Sequence, residues 1–365
     1  MRRPTSRTAN SLRRSPLSRL LLAAYLLLAI YASLYPFRGW RDPGGLTALG
    51  LPWPSFVTAF DVGANFLGYF PYGFLCVLAL PRSLPATGAA LAAIGSGALL
   101  SIALETLQGF LPARIPSGLD VAMNVAGATA GAIAGLQLAP WLWNEGPFKR
   151  TRAMLLAPGP GTDLGVTLLG LWLFAQLNPA ALAFGTGDLR DLLVAPAGAA
   201  HRAEFFVAIE AITCAANLLA VALLASVIAN PGTSVRSFVV AIILAALAVK
   251  TLAFATLMQA EHVFAWVTPG AWAGIASGTL LALLTVGLGR RVRLALAGVF
   301  LMAATVLLNL APANPYLAAT LKVWSQGHFL NFNGLTRLVS AAWPFAALGY
   351  LIYLASARNR EIAGG

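Results

Sequence analysis

Apolar segments long enough to cross a bilayer recur along the whole chain, and no other feature constrains its fold as strongly. A helix of about 20 apolar residues spans a membrane. Only 10% of the 365 residues are charged, and the mean hydropathy is +0.77, which is untypical of soluble domains. The sequence therefore predicts an all-α, polytopic membrane helix bundle. We expect ten spans, near residues 20–36, 62–80, 86–107, 119–142, 163–184, 204–229, 235–257, 263–288, 292–311 and 335–355.

The distribution of charge predicts how these helices are oriented. Lys and Arg concentrate in the cytoplasmic loops of membrane proteins, which explains the net charge of +12 better than nucleic-acid binding does. If both termini are cytoplasmic, most Lys and Arg lie inside and most Asp and Glu lie outside. An odd number of spans would break this pattern. We therefore expect a multi-pass protein of the cell inner membrane with both termini in the cytoplasm.

Changes in composition divide the chain into four parts. Residues 1–19 are rich in Arg and contain no acid, which predicts a basic cytoplasmic leader. Residues 20–142 form a four-helix unit, and a Pro- and Gly-rich linker at 143–162 separates it from a six-helix unit at 163–365. The first span ends without a small-residue cleavage site, so we interpret it as a retained helix rather than a signal peptide. The loop 312–334 has Leu317, Leu321 and Trp324 at helical spacing, with Phe329 and Phe332 beyond, which favours an interfacial position.

Polar residues cluster between Phe60 and Gly135, at the outer ends of three predicted helices. Charge is costly at membrane depth, so such residues indicate a functional site. Asp61 and Asn65 are four residues apart, as are Asp120 and Asn124, so each pair shares a helix face. The candidate site comprises Asp61, Asn65, Glu105, Gln108, Arg114, Ser117, Asp120 and Asn124.

Three of these residues are the candidates for chemistry. Arg114 suits a phosphate or a carboxylate, and Glu105 or Asp120 suits acid–base work if a reaction occurs. A structural interpretation is also open. Asp61 and Asp120 lie where carboxylates cap helix N-termini, and Arg114 is a natural partner for Glu105.

Three glycines follow the cluster at four-residue steps, namely Gly127, Gly131 and Gly135. This spacing predicts that the fourth helix approaches a neighbouring helix closely.

The order of these residues resembles the VanZ-like family of bacterial membrane proteins. The shared pattern is D-x-x-x-N-x-x-x-x-x-P-x-G, followed by E-x-x-Q-x-x-x-P-x-R-x-x-S-x-x-D-x-x-x-N-x-x-G-x-x-x-G, and it covers roughly residues 20–140. The resemblance implies a cell-envelope protein linked to resistance against lipoglycopeptide antibiotics such as teicoplanin, without an established biochemical activity. The matching residues are Asp61, Asn65, Pro71, Gly73, Glu105, Gln108, Pro112, Arg114, Ser117, Asp120, Asn124, Gly127 and Gly131.

A second polar set lies within the six-helix unit. Glu210 and Lys250 are each roughly 10 Å inside their helices at 1.5 Å per residue, so they could form an intramembrane ion pair. Asn217 shares a face with Glu210. The pair fits either a lock between helices or a proton or substrate pathway.

Three functions remain open from the sequence. The protein binds or modifies a lipid-linked envelope precursor or a lipoglycopeptide, or it is a secondary transporter coupled through Glu210 and Lys250, or it is a non-catalytic scaffold. The sequence has no inverted repeat, which would favour a transporter, and no GxSxG motif, which would favour a hydrolase. Cys and His form no metal motif. We expect neither a metal nor a cofactor, and a lipid bilayer rather than nucleic acid as partner; the sequence leaves oligomeric state and catalysis open.

Overall fold

The computed structural model consists of helices. The described residues are 16–42, 51–81, 83–143, 146–190, 202–257, 262–312, 314 and 330–363. Within these ranges no β-strand is present, and the eleven helices are α1 (Leu17–Leu34), α2 (Ala59–Ala79), α3 (Ala86–Gln108), α4 (Gly118–Trp143), α5 (Pro147–Leu155), α6 (Pro160–Ala175), α7 (Ala203–Ile228), α8 (Val235–Leu257), α9 (Pro269–Thr285), α10 (Arg290–Leu310) and α11 (Leu330–Ala363).

Eight of the described helices are long and apolar enough to cross a membrane, which confirms a polytopic helical bundle. The other two predicted spans correspond to α6 and α9, which are apolar but shorter than expected. The span predicted at 163–184 ends early because Asn178 precedes a proline, which disfavours helix. The Asn178 side chain instead accepts a hydrogen bond from the backbone of Ala180 at 2.9 Å. The span predicted at 263–288 begins late, at an N-cap formed by Thr268.

The predicted linker at 143–162 contains the helix α5. Pro147 occupies the first turn of α5, where its missing N–H leaves no hydrogen bond unmade. Asn230, just after α7, binds the C-terminal end of α5 through two hydrogen bonds. Its backbone N–H donates to the Leu155 carbonyl at 2.8 Å, and its side chain donates to the Ala153 carbonyl at 2.7 Å.

Glycines bring α4 into contact with α2, as their spacing predicted. A Cβ added to Gly127 would lie 2.1 Å from the carbonyl oxygen of Phe66, and one added to Gly131 would lie 2.0 Å from that of Phe70. Only glycine permits this separation of the two backbones, so the predicted close approach is confirmed. Gly73 on α2 does the same against the Ala128 carbonyl of α4.

In the predicted six-helix unit, called the second unit below, α7 is the central helix. Its residues Leu218 and Leu223 are buried within a core formed with α6, α8, α9, α10 and α11. A second glycine stripe, on α9, packs against α7. A Cβ at Gly274 would lie 2.6 Å from Cβ of Cys214, and one at Gly278 would lie 2.9 Å from Cα of Ala215. The sequence predictions did not include this stripe, although its four-residue spacing is the same signal.

Arginines at the predicted cytoplasmic end of the bundle bind the ends of helices. Arg19 donates to the Ala79 carbonyl at 3.3 Å, and Arg293 donates to the Ser226 carbonyl at 2.9 Å. Cations are favourable at helix C-termini, where carbonyls lack intrahelical donors. Part of the basic excess therefore has a structural role, while the assignment of sides to the membrane stays a prediction. Most of the basic leader, residues 1–15, and the central part of the predicted interfacial loop, residues 315–329, lie outside the described residues.

Candidate functional site

The predicted polar residues of the first unit lie at one end of the bundle, where α1 and α3 end and α2 and α4 begin. Glu105 Oε2, near the end of α3, accepts a hydrogen bond from the backbone N–H of Ser117 at 2.9 Å. Gln108 Nε2 donates to the carbonyl of Ser33 on α1 at 2.9 Å. These two contacts join α1, α3 and the start of α4 at this end of the unit.

Glu105 is buried, with 4% of its surface exposed. The Ser117 amide is its hydrogen-bond donor, and its second oxygen accepts no hydrogen bond from the described residues. An ionised carboxylate in such a place needs partners. Glu105 therefore holds the 109–117 loop in position and keeps one oxygen available for water or a ligand.

Arg114, in that loop, binds the C-terminal end of α1. Its Nη2 donates to the carbonyl oxygens of Ala32 at 3.1 Å and Tyr35 at 2.8 Å. Burial lowers the pKa of Arg114 from its usual value and the charge of Glu105 opposes this shift, but a guanidinium stays protonated at neutral pH. Both residues are described, and they form no salt bridge with each other, so the interpretation of Arg114 as the direct partner of Glu105 is wrong. Its Nε and Nη1 donate to none of the described residues.

The two acidic residues at helix starts are not themselves the caps. Thr58 accepts from the Asp61 amide at 3.0 Å, and Ser117 accepts from the Asp120 amide at 3.4 Å. Each carboxylate thus lies in the first turn, three residues after a hydroxyl cap, as in a capping box. The interpretation of Asp61 and Asp120 as caps is therefore wrong, although the Ser/Thr-x-x-Asp pattern was visible in the sequence.

Asp120 faces α2 across the α2–α4 contact. Its carboxyl lies beside the Asn65 side chain and near the Asp61 carboxyl, while Asn65 Nδ2 donates to the Asp61 backbone carbonyl at 3.0 Å. Asp61 is exposed, whereas Asp120 and Asn65 are half-buried. The three side chains form a polar patch that opens at the end of the bundle.

A buried polar group continues inward from this patch. Asn124 Nδ2 donates to Ser101 Oγ at 2.9 Å, and both residues are buried. Tyr69 lies beside Ser101. Asn124 Oδ1 and Tyr69 Oη are buried without a hydrogen-bond partner among the described residues. A buried polar atom left unpaired costs about 1–3 kcal/mol, so a water or ligand group that paired with these atoms would be stabilised there.

Sequence reasoning missed Ser101 and Tyr69, although a signal was present. Ser101 lies four residues before Glu105, and Tyr69 lies four residues after Asn65, so each shares a helix face with a residue that was identified. Both residues are common in helices of membrane proteins, which is why the spacing alone did not single them out.

Exposed apolar side chains flank the polar patch. Trp53 and Phe56 are 67% and 79% exposed, and Ile115 in the loop of Arg114 is 85% exposed. The Gly118 amide donates to the Pro52 carbonyl at 3.0 Å, which holds the segment of Trp53 against the start of α4. Aromatic residues of this kind are enriched at membrane–water interfaces.

The second polar set does not form the predicted ion pair. Lys250 is 2% exposed, and its Nζ donates to the carbonyls of Asn178 at 2.7 Å and Ala181 at 2.8 Å. Glu210 is also buried, on the neighbouring helix α7, and among the described residues no salt bridge joins it to Lys250. Asn217 instead accepts a hydrogen bond from the Thr186 hydroxyl at 3.0 Å.

Comparison with known proteins finds a similarity in the N-terminal part of the chain. Residues 6–139 match the model of a family described as VanZ/LLP1. The matched range contains α1 to α4 up to residue 139 and all eight residues of the candidate site. The resemblance found in the sequence is therefore confirmed for this part, and residues 140–365 lie outside the match. No curated protein and no solved structure matches the chain.

Proposed function

We propose that this multi-pass membrane protein, whose N-terminal part is VanZ-like, binds a lipid-linked or amphiphilic molecule of the bacterial envelope with its α1–α4 unit. The supporting observation is the arrangement of a polar patch and exposed apolar side chains at one end of the four helices. The polar residues offer contacts for a headgroup, and Trp53, Phe56 and Ile115 offer apolar surface for the attached chain. Burial of apolar surface contributes about 25 cal/mol per Å².

The headgroup contacts follow from the free donors and acceptors. Arg114 uses Nη2 on α1, which leaves Nε and Nη1 for a phosphate or carboxylate oxygen of the ligand. A hydrogen bond from an Arg N–H to an ionised oxygen is roughly twice as strong as one between neutral groups. Asp120 and Asp61 can accept hydrogen bonds from hydroxyl or amino groups of the ligand, and Asn65 can both donate and accept. A ligand with an anionic group and several hydroxyl or amino groups fits this set.

Binding, rather than catalysis, is the role that these contacts favour. One oxygen of Glu105 accepts a hydrogen bond from the Ser117 amide, and this contact positions the loop that carries Arg114. We therefore assign Glu105 as a positioning residue and Arg114, Asp120, Asp61 and Asn65 as the ligand contacts. Ser117, Gln108 and Asn124 hold the helix ends together.

The proposal predicts that conservative changes at the ligand contacts remove function and leave the fold intact. We propose that the chain raises the resistance of a susceptible bacterium to teicoplanin, and we expect Arg114→Lys, which keeps one donor for the end of α1, and Asp120→Asn to lose this effect. Glu105→Gln keeps an oxygen for the Ser117 amide, so this variant of the positioning residue should retain the effect. The measurements are the inhibitory concentration of teicoplanin and of a glycopeptide without an acyl chain, together with immunoblots of the membrane fraction.

A matched control is Asp188→Asn, which alters a carboxyl group outside the VanZ-like part. We expect it to behave as the wild type. Loss of the site variants from the membrane would favour the scaffold interpretation, in which these residues only hold the helices together. Full resistance in the Arg114→Lys and Asp120→Asn variants at normal abundance would exclude them as ligand contacts.

The proposed site lies at the outer leaflet of the inner membrane, with both chain termini in the cytoplasm. The native Cys76 and Cys214 are buried, so cysteines introduced at Ala113 and Lys149 can be labelled selectively. We expect a thiol reagent that cannot cross the membrane to label Ala113→Cys in intact cells and Lys149→Cys only after lysis. Labelling of both positions from the same side would refute this orientation.

A further inference from the structure

We infer that the cavity beside Glu210 in the second unit is a binding site for a small organic ammonium compound with an apolar body. The cavity has a volume of about 180 Å³ and lies between α7, α9 and the segment at 179–183. It is distant in sequence from the VanZ-like part, and its residues take no part in the function proposed above.

The cavity is lined mainly by apolar and aromatic side chains. Phe206 of α7, Phe254 of α8 and Trp266 before α9 contribute rings to it, and Ala183 and Leu182 contribute aliphatic surface. Small-molecule sites typically combine such surface with a few polar groups that orient the ligand. The aromatic faces also attract cations, most strongly where the cation is desolvated.

Glu210 is the acidic residue among those that line the cavity. It is 7% exposed, and the Thr268 hydroxyl at the start of α9 faces its carboxylate. Gly270 makes room for this carboxylate, because a Cβ there would lie 2.6 Å from Oε2 of Glu210 and 2.8 Å from the Val207 carbonyl. The packing of α9 on α7 thus holds the carboxylate at the cavity.

Lys250 does not form a salt bridge with the Glu210 carboxylate. Its ammonium group is bound by the carbonyls of Asn178 and Ala181, and it lies 5.7 Å from the ring centre of Phe254. Its charge still acts on Glu210 at longer range, which offsets part of the cost of burying a carboxylate. Beyond the Thr268 hydroxyl, the Glu210 oxygens keep lone pairs that can accept hydrogen bonds from a second ammonium group, that of the ligand.

These features together indicate which class of compound fits the cavity. A buried carboxylate requires a donor, preferably a charged one, and the rings around it stabilise a cation and the carbon skeleton next to it. A neutral molecule of the same shape would keep the apolar contacts and lose the charged one. The compound class is thus an amine carried on an aromatic or aliphatic body.

The test uses the full chain purified in detergent and two probes of equal shape, 2-phenylethylamine and the neutral 2-phenylethanol. We expect calorimetry to show that the amine binds at least tenfold more tightly than the alcohol. Glu210→Gln should abolish this difference and keep the weak binding of the alcohol, which reports an intact cavity. The matched control is Glu204→Gln, since Glu204 is an exposed acid on the same helix; it should retain the difference.

A second measurement keeps Glu210 unchanged. Ala203 is exposed and lines the cavity, so 2-phenylethylamine should slow maleimide labelling of Ala203→Cys several-fold, and 2-phenylethanol should do so far less. Absence of binding by both probes, equal binding of the two, amine preference in Glu210→Gln, or unprotected Ala203→Cys would each overturn the inference.

Discussion

In the α1–α4 unit, Gly127 and Gly131 allow α4 to pack closely against α2. In the α6–α11 unit, Gly270 and Gly274 allow α9 to pack closely against α7. Each unit also contains a buried glutamate in a helix of its bundle, Glu105 in the first. The two carboxylates have different surroundings. Glu105 receives a backbone amide at the end of its helix, whereas Glu210 faces a cavity lined by aromatic side chains.

The central helix of the second unit, α7, buries a larger share of its residues than the helices of the first unit do. Leu67, Leu91 and Leu99 of α2 and α3 are 67%, 70% and 71% exposed, as expected for helices that contact lipid. By contrast, most residues of α7 are buried. The first unit therefore presents its polar groups at its end, while the second encloses them around one central helix.

The largest effect that separates the units is expected at the glycine contacts. A Cβ at Gly131 would lie 2.0 Å from the Phe70 carbonyl oxygen, whereas a Cβ at Gly274 would lie 2.6 Å from Cβ of Cys214 and 2.7 Å from the Ala211 carbonyl oxygen, so the collision at Gly131 is more severe. Overpacking costs about 1–3 kcal/mol or more. We therefore expect Gly131→Ala to lower the melting temperature in detergent most, Gly274→Ala to lower it less, and both to reduce the yield of monodisperse protein.

Gly95→Ala on α3 is the control for this comparison, because no atom lies within 4 Å of its added Cβ. Replacing glycine by alanine within a helix adds up to about 1 kcal/mol of helix propensity, so this variant should melt at the wild-type temperature or higher. If Gly131→Ala melts at the same temperature as Gly95→Ala, the contact between α2 and α4 is looser than described.

A smaller effect is expected at the two cations that bind backbone carbonyls. Lys250 is buried, so Lys250→Met leaves the Ala181 carbonyl without its donor, at about 1–3 kcal/mol, while the Asn178 carbonyl keeps the Ala181 amide as a donor at 3.4 Å. Arg114 lies at the half-exposed end of the first unit, where water can replace it. We therefore expect Lys250→Met to lower the melting temperature more than Arg114→Met.

Lys149→Met provides the control, since Lys149 is exposed on α5 and its removal should leave the melting temperature unchanged. A larger loss for Arg114→Met than for Lys250→Met would show that the end of α1, and not the second unit, depends most on its cation. The description of the second unit as the one that encloses its polar groups more fully would then be wrong.

Several features of the polar cluster were predictable because they are local in sequence. The i, i+4 spacing of Asp61 and Asn65 placed them on one face, and the glycine spacing predicted the contact of α4. The caps at Thr58 and Ser117 were also readable from their Ser/Thr-x-x-Asp pattern. The partners of Arg114 and Lys250 were not, because backbone carbonyls far along the chain carry no sequence signal.

From its sequence alone, this protein is determined to be a polytopic helical membrane protein with a VanZ-like N-terminal part, since hydropathy, helical spacing and the order of polar residues depend on short segments. The tertiary structure decided which groups meet. It assigned Glu105 to the Ser117 amide, Arg114 to the end of α1, and Lys250 to the 178–181 turn rather than to Glu210. The physical reason is that a buried charge binds whichever donor or acceptor the packing brings within about 3 Å, and packing depends on residues far apart in the chain.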